Sequence, residues 1–111
     1  MNGAVARNPQ PDATLAELLM SVAATQPDCR SMEVGSATTW SIGGTVFAML
    51  DGGVAEFRLD VPIAAAAQRT PDTTASPRGP DWVAFRPGLM DHEAADRVSA
   101  WFRAAARRAI G

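Results

Sequence analysis

The chain of 111 residues is long enough for one domain with a single hydrophobic core. Hydrophobic residues make up 47% of it and charged residues 20%, which is ordinary globular usage and excludes a largely disordered chain. With a net charge of −2 and a pI near 5.2, the protein has no overall positive electrostatic field that would attract nucleic acid or membranes. Binding to either would require a local patch of basic residues.

The N-terminal part of the sequence predicts a lead-in followed by a helix. Residues 1–11 combine Asn, Gly and two Pro with few apolar side chains, so we expect a flexible lead-in to a single domain over residues 12–111. Thr14 and Glu17 have the spacing of a capping box, which predicts that the first helix starts there. Its apolar stripe comprises Leu15, Leu18, Leu19 and Val22, and Pro27 predicts an end near Gln26.

The middle of the chain changes to extended patterning, with β-branched and aromatic residues between glycine pairs. Gly43-Gly44 and Asp51-Gly52 indicate tight turns, because these residues tolerate positive φ angles. In the predicted strand Val54–Leu59 the side chains alternate in polarity, so one face of the strand should meet the core and the other should meet water. The predicted strands are Ser31–Gly35, Thr38–Ile42, Thr45–Leu50 and Val54–Leu59.

The C-terminal half predicts a short helix, a loop, a strand and a long helix. Pro62 suits a first helical turn, and Thr70–Pro80 reads as a long loop because it contains three Pro and one Gly. Trp82–Arg86 follows as a strand, and Asp91 caps a helix whose apolar stripe includes Trp101 and Phe102. The sequence therefore predicts an α+β fold: an antiparallel sheet of four to five strands with an N-terminal, a short middle and a long C-terminal helix.

No pattern of catalytic or metal-binding residues emerges. The single histidine, His92, lies between two acidic residues that point in different directions on a helix, and no nucleophile elbow or phosphate-binding loop is present. We therefore expect no catalytic residue, no metal and no cofactor. The lone Cys29 has no partner for an internal disulfide, which favours the reducing cytoplasm. No apolar stretch approaches the roughly 18 residues of a membrane span, so we expect no membrane insertion.

Arginines are the main candidates for contact with a partner. Arg30, Arg58, Arg78 and Arg86 are the set that could form a local basic patch for nucleic acid. The alternative is a small-molecule binder or unrecognised enzyme, with a pocket beside the Thr70–Pro80 loop that uses Trp82 and Arg78. A monomer and a homodimer that pairs through an exposed strand edge both fit the sequence.

The order of several short motifs resembles the MmcQ/YjbR-like family of small bacterial proteins. The motifs are Trp40, Phe47-Ala48-Met49, Phe57-Arg58-Leu59-Asp60, Gly79-Pro80-Asp81-Trp82-Val83 and a closing helix with Trp101. The resemblance covers about residues 15–109 and implies a compact α+β fold that has been likened to a double-wing DNA-binding module. One residue is inserted before Pro62, and the absence of lysine departs from a nucleic-acid binder. Biochemical function is unsettled across that family, so the resemblance mainly implies a fold. Together with the absence of catalytic residues, it leads us to expect a noncatalytic binding or interaction domain.

Overall fold

The computed structural model describes residues 11–111, with side chains from residue 15 onward. The predicted lead-in therefore lies outside the described residues except for Pro11, which is already helical. Three helices and six strands follow one another along the chain. They are α1 (Pro11–Ala23), β1 (Cys29–Val34), β2 (Ala37–Ile42), β3 (Thr45–Asp51), β4 (Val54–Arg58), α2 (Val61–Ala67), β5 (Thr73–Ala75), β6 (Trp82–Phe85) and α3 (His92–Ile110).

The strands form one sheet in the order β1-β2-β3-β4-β6-β5, and every neighbouring pair is antiparallel. The first four strands form a meander, in which two-residue turns at Gly35-Ser36, Gly43-Gly44 and Gly52-Gly53 join successive strands. Gly43 and Gly44 both have positive φ, as a tight turn between right-twisted strands requires. The predicted α+β class is confirmed, with one strand more than expected.

The additional strand is β5, and it corrects the prediction of a loop over Thr70–Pro80. Residues 73–75 pair with residues 83–85 of β6 and form one edge of the sheet. The side chain of Thr73 is buried and donates to the carbonyl of Pro71 at 3.0 Å. The prolines on both sides masked the β-branched Thr73-Thr74 pair, which is the sequence signal for this strand.

Helix α1 differs from its predicted bounds at both ends. It begins at Pro11 rather than at Thr14, consistent with the preference of proline for a first helical turn. The side chain of Thr14 lies outside the description. The helix ends at Ala23 rather than near Gln26, because the N–H groups of Thr25 and Gln26 bond to carbonyls three residues back instead of four. The Thr25 hydroxyl also donates to the Val22 carbonyl at 2.6 Å.

The core lies between one face of the sheet and the helices. Phe102 of α3 makes edge-to-face contacts with Trp40 and Phe47, at ring-centre distances of 5.8 and 5.2 Å. Trp101 packs in the same way on Phe85 at 5.6 Å. A bulge opposite Trp40 and Ser41 turns Phe47 and Ala48 inward together. The prediction that Trp101 and Phe102 are core residues is confirmed, since both are buried.

Candidate binding face of the sheet

One face of the sheet carries the predicted site residues, and we refer to it as the open face. In β4, Ala55 and Phe57 are buried, so Glu56 and Arg58 lie on the opposite side. In β6, by the same alternation, Trp82 lies on that side, where it pairs with Arg58. The buried residues of all three helices join the core on the other face. In the part of the chain that the structure describes, the open face is therefore the side of the sheet that no helix covers, and its side chains are accessible to a partner.

The four candidate arginines all belong to the open face, although they do not form a cluster. Arg30 pairs with Ser41 in β1, three strand spacings or about 14 Å from β4. Arg86 follows β6, about 13 Å along the strand from the level of Arg58. Arg78 lies in the segment before β6 and reaches over this face. Strand register and the Arg78–Trp82 contact thus place the four arginines on one face of the sheet but spread them along it.

Arg58 is held by a carboxylate. Its Nε donates to Asp81 Oδ2 at 2.8 Å, and Nη2 of Arg108 in α3 reaches the same oxygen at 3.4 Å. The Arg108 Nε also donates to Asp60 Oδ1 at 3.0 Å. The hydrogen bond from Arg58 lowers the pKa of Asp81 below its usual value. This network joins the end of β4, the start of β6 and the last turn of α3, so Arg58 has a structural partner.

Arg78 is also paired, through Glu56. The Glu56 Oε1 atom accepts from the Arg78 Nε at 2.9 Å and from the Ser76 hydroxyl at 2.6 Å. The backbone N–H of Arg78 donates to the Ser76 hydroxyl at 3.1 Å, and the guanidinium lies 5.7 Å from the ring centre of Trp82. Trp82 and Arg78, the predicted pocket residues, therefore stack against each other. Sequence reasoning missed Glu56 as the organiser of this group, since its partners follow some 20 residues later.

A groove does lie at the junction of the sheet and the 70–80 segment. It encloses about 510 Å³, and neither Trp82 nor Arg78 lines it. Small side chains form its floor, and three charged groups stand around it. The lining residues are Val54, Glu56, Asp72, Thr74, Ala75, Pro77, Ala84 and Arg86.

Asp72 fixes one end of this groove. It has a left-handed backbone with φ of 63°, its carbonyl accepts from the Arg86 N–H at 3.0 Å, and its carboxylate accepts from the Gly88 N–H at 3.3 Å. The edge strand β5 and the end of β6 are thereby held together. Hydrogen bonds to Asp72 thus frame this end of the groove, and two carboxylates and one guanidinium lie along its rim.

Comparisons with known proteins add no family to this geometry: no family model matches the chain, and neither the curated proteins nor the solved structures contain a match. Within residues 11–111, no helix is long and apolar enough to cross a membrane. In the same part of the chain, no group of three His, Cys, Asp or Glu side chains is arranged to hold a metal ion.

Proposed function

We propose that the protein is a noncatalytic binding domain that engages its partner through the open face of the sheet. The observation that carries this proposal is the one-sided architecture: the helices cover one face, while Trp82 and all four candidate arginines belong to the other. The order of the motifs from Trp40 to Trp101 supports a domain of the MmcQ/YjbR-like type. Cys29, the sole cysteine in the sequence, supports a reducing cytoplasmic location.

The partner we propose first is nucleic acid, contacted through its phosphates. Arg30 and Arg86 make no ion pair with any described residue, so both are available to a phosphate. Arg58 and Arg78 are already paired with carboxylates, so a phosphate has to displace a carboxylate before it can bind either arginine. We therefore expect Arg30 and Arg86 to contribute more to the affinity than Arg58 and Arg78.

The test is fluorescence anisotropy with a labelled single-stranded oligonucleotide at several salt concentrations. Two or three phosphate contacts predict that the logarithm of the binding constant falls linearly with the logarithm of the salt concentration, with a slope of about −1.4 to −2.1. Arg86→Ala and Arg30→Ala should weaken binding and reduce the slope. Arg103→Ala is the matched control, because Arg103 is an exposed arginine on α3. An affinity that does not change with salt concentration, or no binding at low salt, rules out nucleic acid as the partner.

A small polar molecule is the second candidate, favoured by the groove of about 510 Å³. This volume lies within the range of roughly 300–1,000 Å³ of ligand pockets. Asp72 suits a cationic group and Arg86 suits an anionic one, so a zwitterion matches the rim, while Glu56 already holds Arg78.

A thermal-shift screen of metabolites tests this candidate. Ligand at 100 times its dissociation constant should stabilise the protein by about 2.7 kcal/mol. Ala84→Leu fills the floor of the groove and should abolish the shift, while Ala37→Leu, at a half-buried alanine of β2 that does not line the groove, should not. No shift across zwitterionic compounds argues against the groove as a ligand site.

A further inference from the structure

The two edges of the sheet are built differently. The β5 edge has only three residues and is flanked by Pro71 and Pro77, which cannot donate to a neighbouring strand. The β1 edge has six residues, Cys29–Val34, without proline, and its pairing with β2 runs without a bulge. Natural sheets blunt their edges against unwanted pairing. The β5 edge is blunted by its shortness and by these prolines, whereas β1 is longer, contains no proline and has Arg30 and Glu33 as its only charged residues.

The backbone of β1 has hydrogen-bonding groups to offer. Hydrogen-bonded pairs alternate along an antiparallel ladder, and the two-residue turn closed by Val34 and Ala37 sets that alternation. Cys29, Ser31 and Glu33 therefore direct their N–H and C=O groups away from β2. The Cys29 N–H bonds to the Gln26 carbonyl, and no strand within residues 11–111 pairs with this side of β1.

Apolar surface lies on both sides of the same edge. Met32 and Val34, on the open face of β1, are 66% and 57% exposed. On the other side, Met20 of α1 is 65% exposed and overhangs two clefts between α1 and the β1–β2 hairpin. The clefts enclose about 250 and 170 Å³ and share Met20, Ser31 and Trp40 as lining residues. Among residues 11–111, both the sheet and the helix layer thus end at β1 with exposed apolar side chains.

We propose that β1 is a self-association edge, on which a second copy of this chain pairs antiparallel about Met32. This register places Met32 against Met32, Arg30 against Val34, and the Ser31 hydroxyl against the Glu33 carboxylate. No like charges oppose each other, and the outward N–H and C=O groups of Ser31 and Glu33 meet their equivalents. The strand is therefore complementary to itself, and a two-fold pairing continues the sheet while it covers Met32.

Light scattering and sedimentation over about 10 μM to 1 mM protein test the proposal. The mass should rise from 11.7 kDa towards twice that value. Met32→Glu and Met32→Arg should each stay monomeric, because like charges then meet at the two-fold axis, and an equimolar mixture of the two should recover the dimer. Thr74→Glu, at an exposed position of the β5 edge, is the matched control and should dimerise like the original chain.

Cross-linking provides a second readout that does not depend on charge. In a protein with Cys29→Ser, Met32→Cys should form a disulfide-linked dimer, since facing residues of a non-hydrogen-bonded pair lie about 4.5 Å apart at Cα. Thr74→Cys in the same background should remain monomeric. A mass of 11.7 kDa at the highest concentration overturns the proposal, as does a Met32→Glu protein that dimerises normally or a Met32→Cys protein that does not cross-link.

Discussion

Asp81 is the residue on which three elements converge. Its carboxylate accepts from Arg58 of β4 at 2.8 Å and from Arg108 of α3 at 3.4 Å, and its carbonyl accepts from the Leu59 N–H at 2.7 Å. The hydrogen bond from Arg58 is the largest cause of its lowered pKa. Because the folded protein prefers the ionised form, this group links stability to pH.

We expect this contribution to be lost in acid. Folding lowers the pKa of the Asp81 carboxyl. The stabilisation is therefore fully present when the pH is above the pKa of the unfolded state, about 3.9, and it disappears as the pH falls through the lower pKa of the folded state. Asp81→Asn should therefore be less stable than the original protein near pH 6, with a difference that shrinks below about pH 4. Urea midpoints across this pH range measure it. Asp96→Asn, at an exposed position, is the control, and a difference independent of pH contradicts the assignment.

The sequence predicted on which face of the sheet Glu56 and Arg58 lie, but it did not predict which residues they contact. Period-two alternation was enough to place Glu56 and Arg58 on the solvent face of β4. The partners Ser76 and Asp81 follow 20 and 23 residues later, beyond a helix and a strand, so no local pattern connects them. The pocket predicted around Trp82 and Arg78 illustrates the same gap, because their mutual contact depends on where the 70–80 segment folds.

At the scale of elements, the start of α3 is a boundary that the sequence predicted correctly. Asp91 has extended backbone geometry, and its Oδ1 atom accepts from the Ala94 N–H at 2.8 Å. Replacing it with alanine leaves that N–H without its cap and should destabilise the protein by about 1 kcal/mol. Asp91→Asn keeps the acceptor and should stay within a few tenths of a kcal/mol of the original. Equal urea midpoints for the two variants would contradict this role.

Element boundaries failed where two local signals competed. Thr14 had the right spacing to Glu17 for a capping box, yet Pro11 starts α1 three residues earlier. In the 70–80 segment, three prolines suggested a loop, while the Thr73-Thr74 pair forms an edge strand for which flanking prolines are acceptable. In each case the overall composition of a segment favoured one prediction, while one or two residues within the segment determine the structure that forms.

At the scale of the whole molecule, protection of the backbone should vary across the sheet. The central strands β3 and β4 have neighbours on both sides and bury Phe47 and Phe57, whereas β1 has one neighbour and is largely exposed. Native-state amide exchange should be slowest in β3 and β4 and fast at the outward N–H groups of Ser31 and Glu33. Slowing at these two positions with rising protein concentration would report pairing of β1. Uniform protection across all six strands contradicts the expected gradient.

The three two-residue turns of the meander also bear on how the chain reaches this structure. Each turn brings two successive strands together over a very short loop, so strands β1 to β4 can pair with little loss of chain entropy. Insertion of β6 between β4 and β5, and docking of α1 on α3 from opposite ends of the chain, require much longer closures. We therefore expect the meander to form first and the contacts of α3 to form late, so that substitutions in these contacts should mainly change the rate of unfolding.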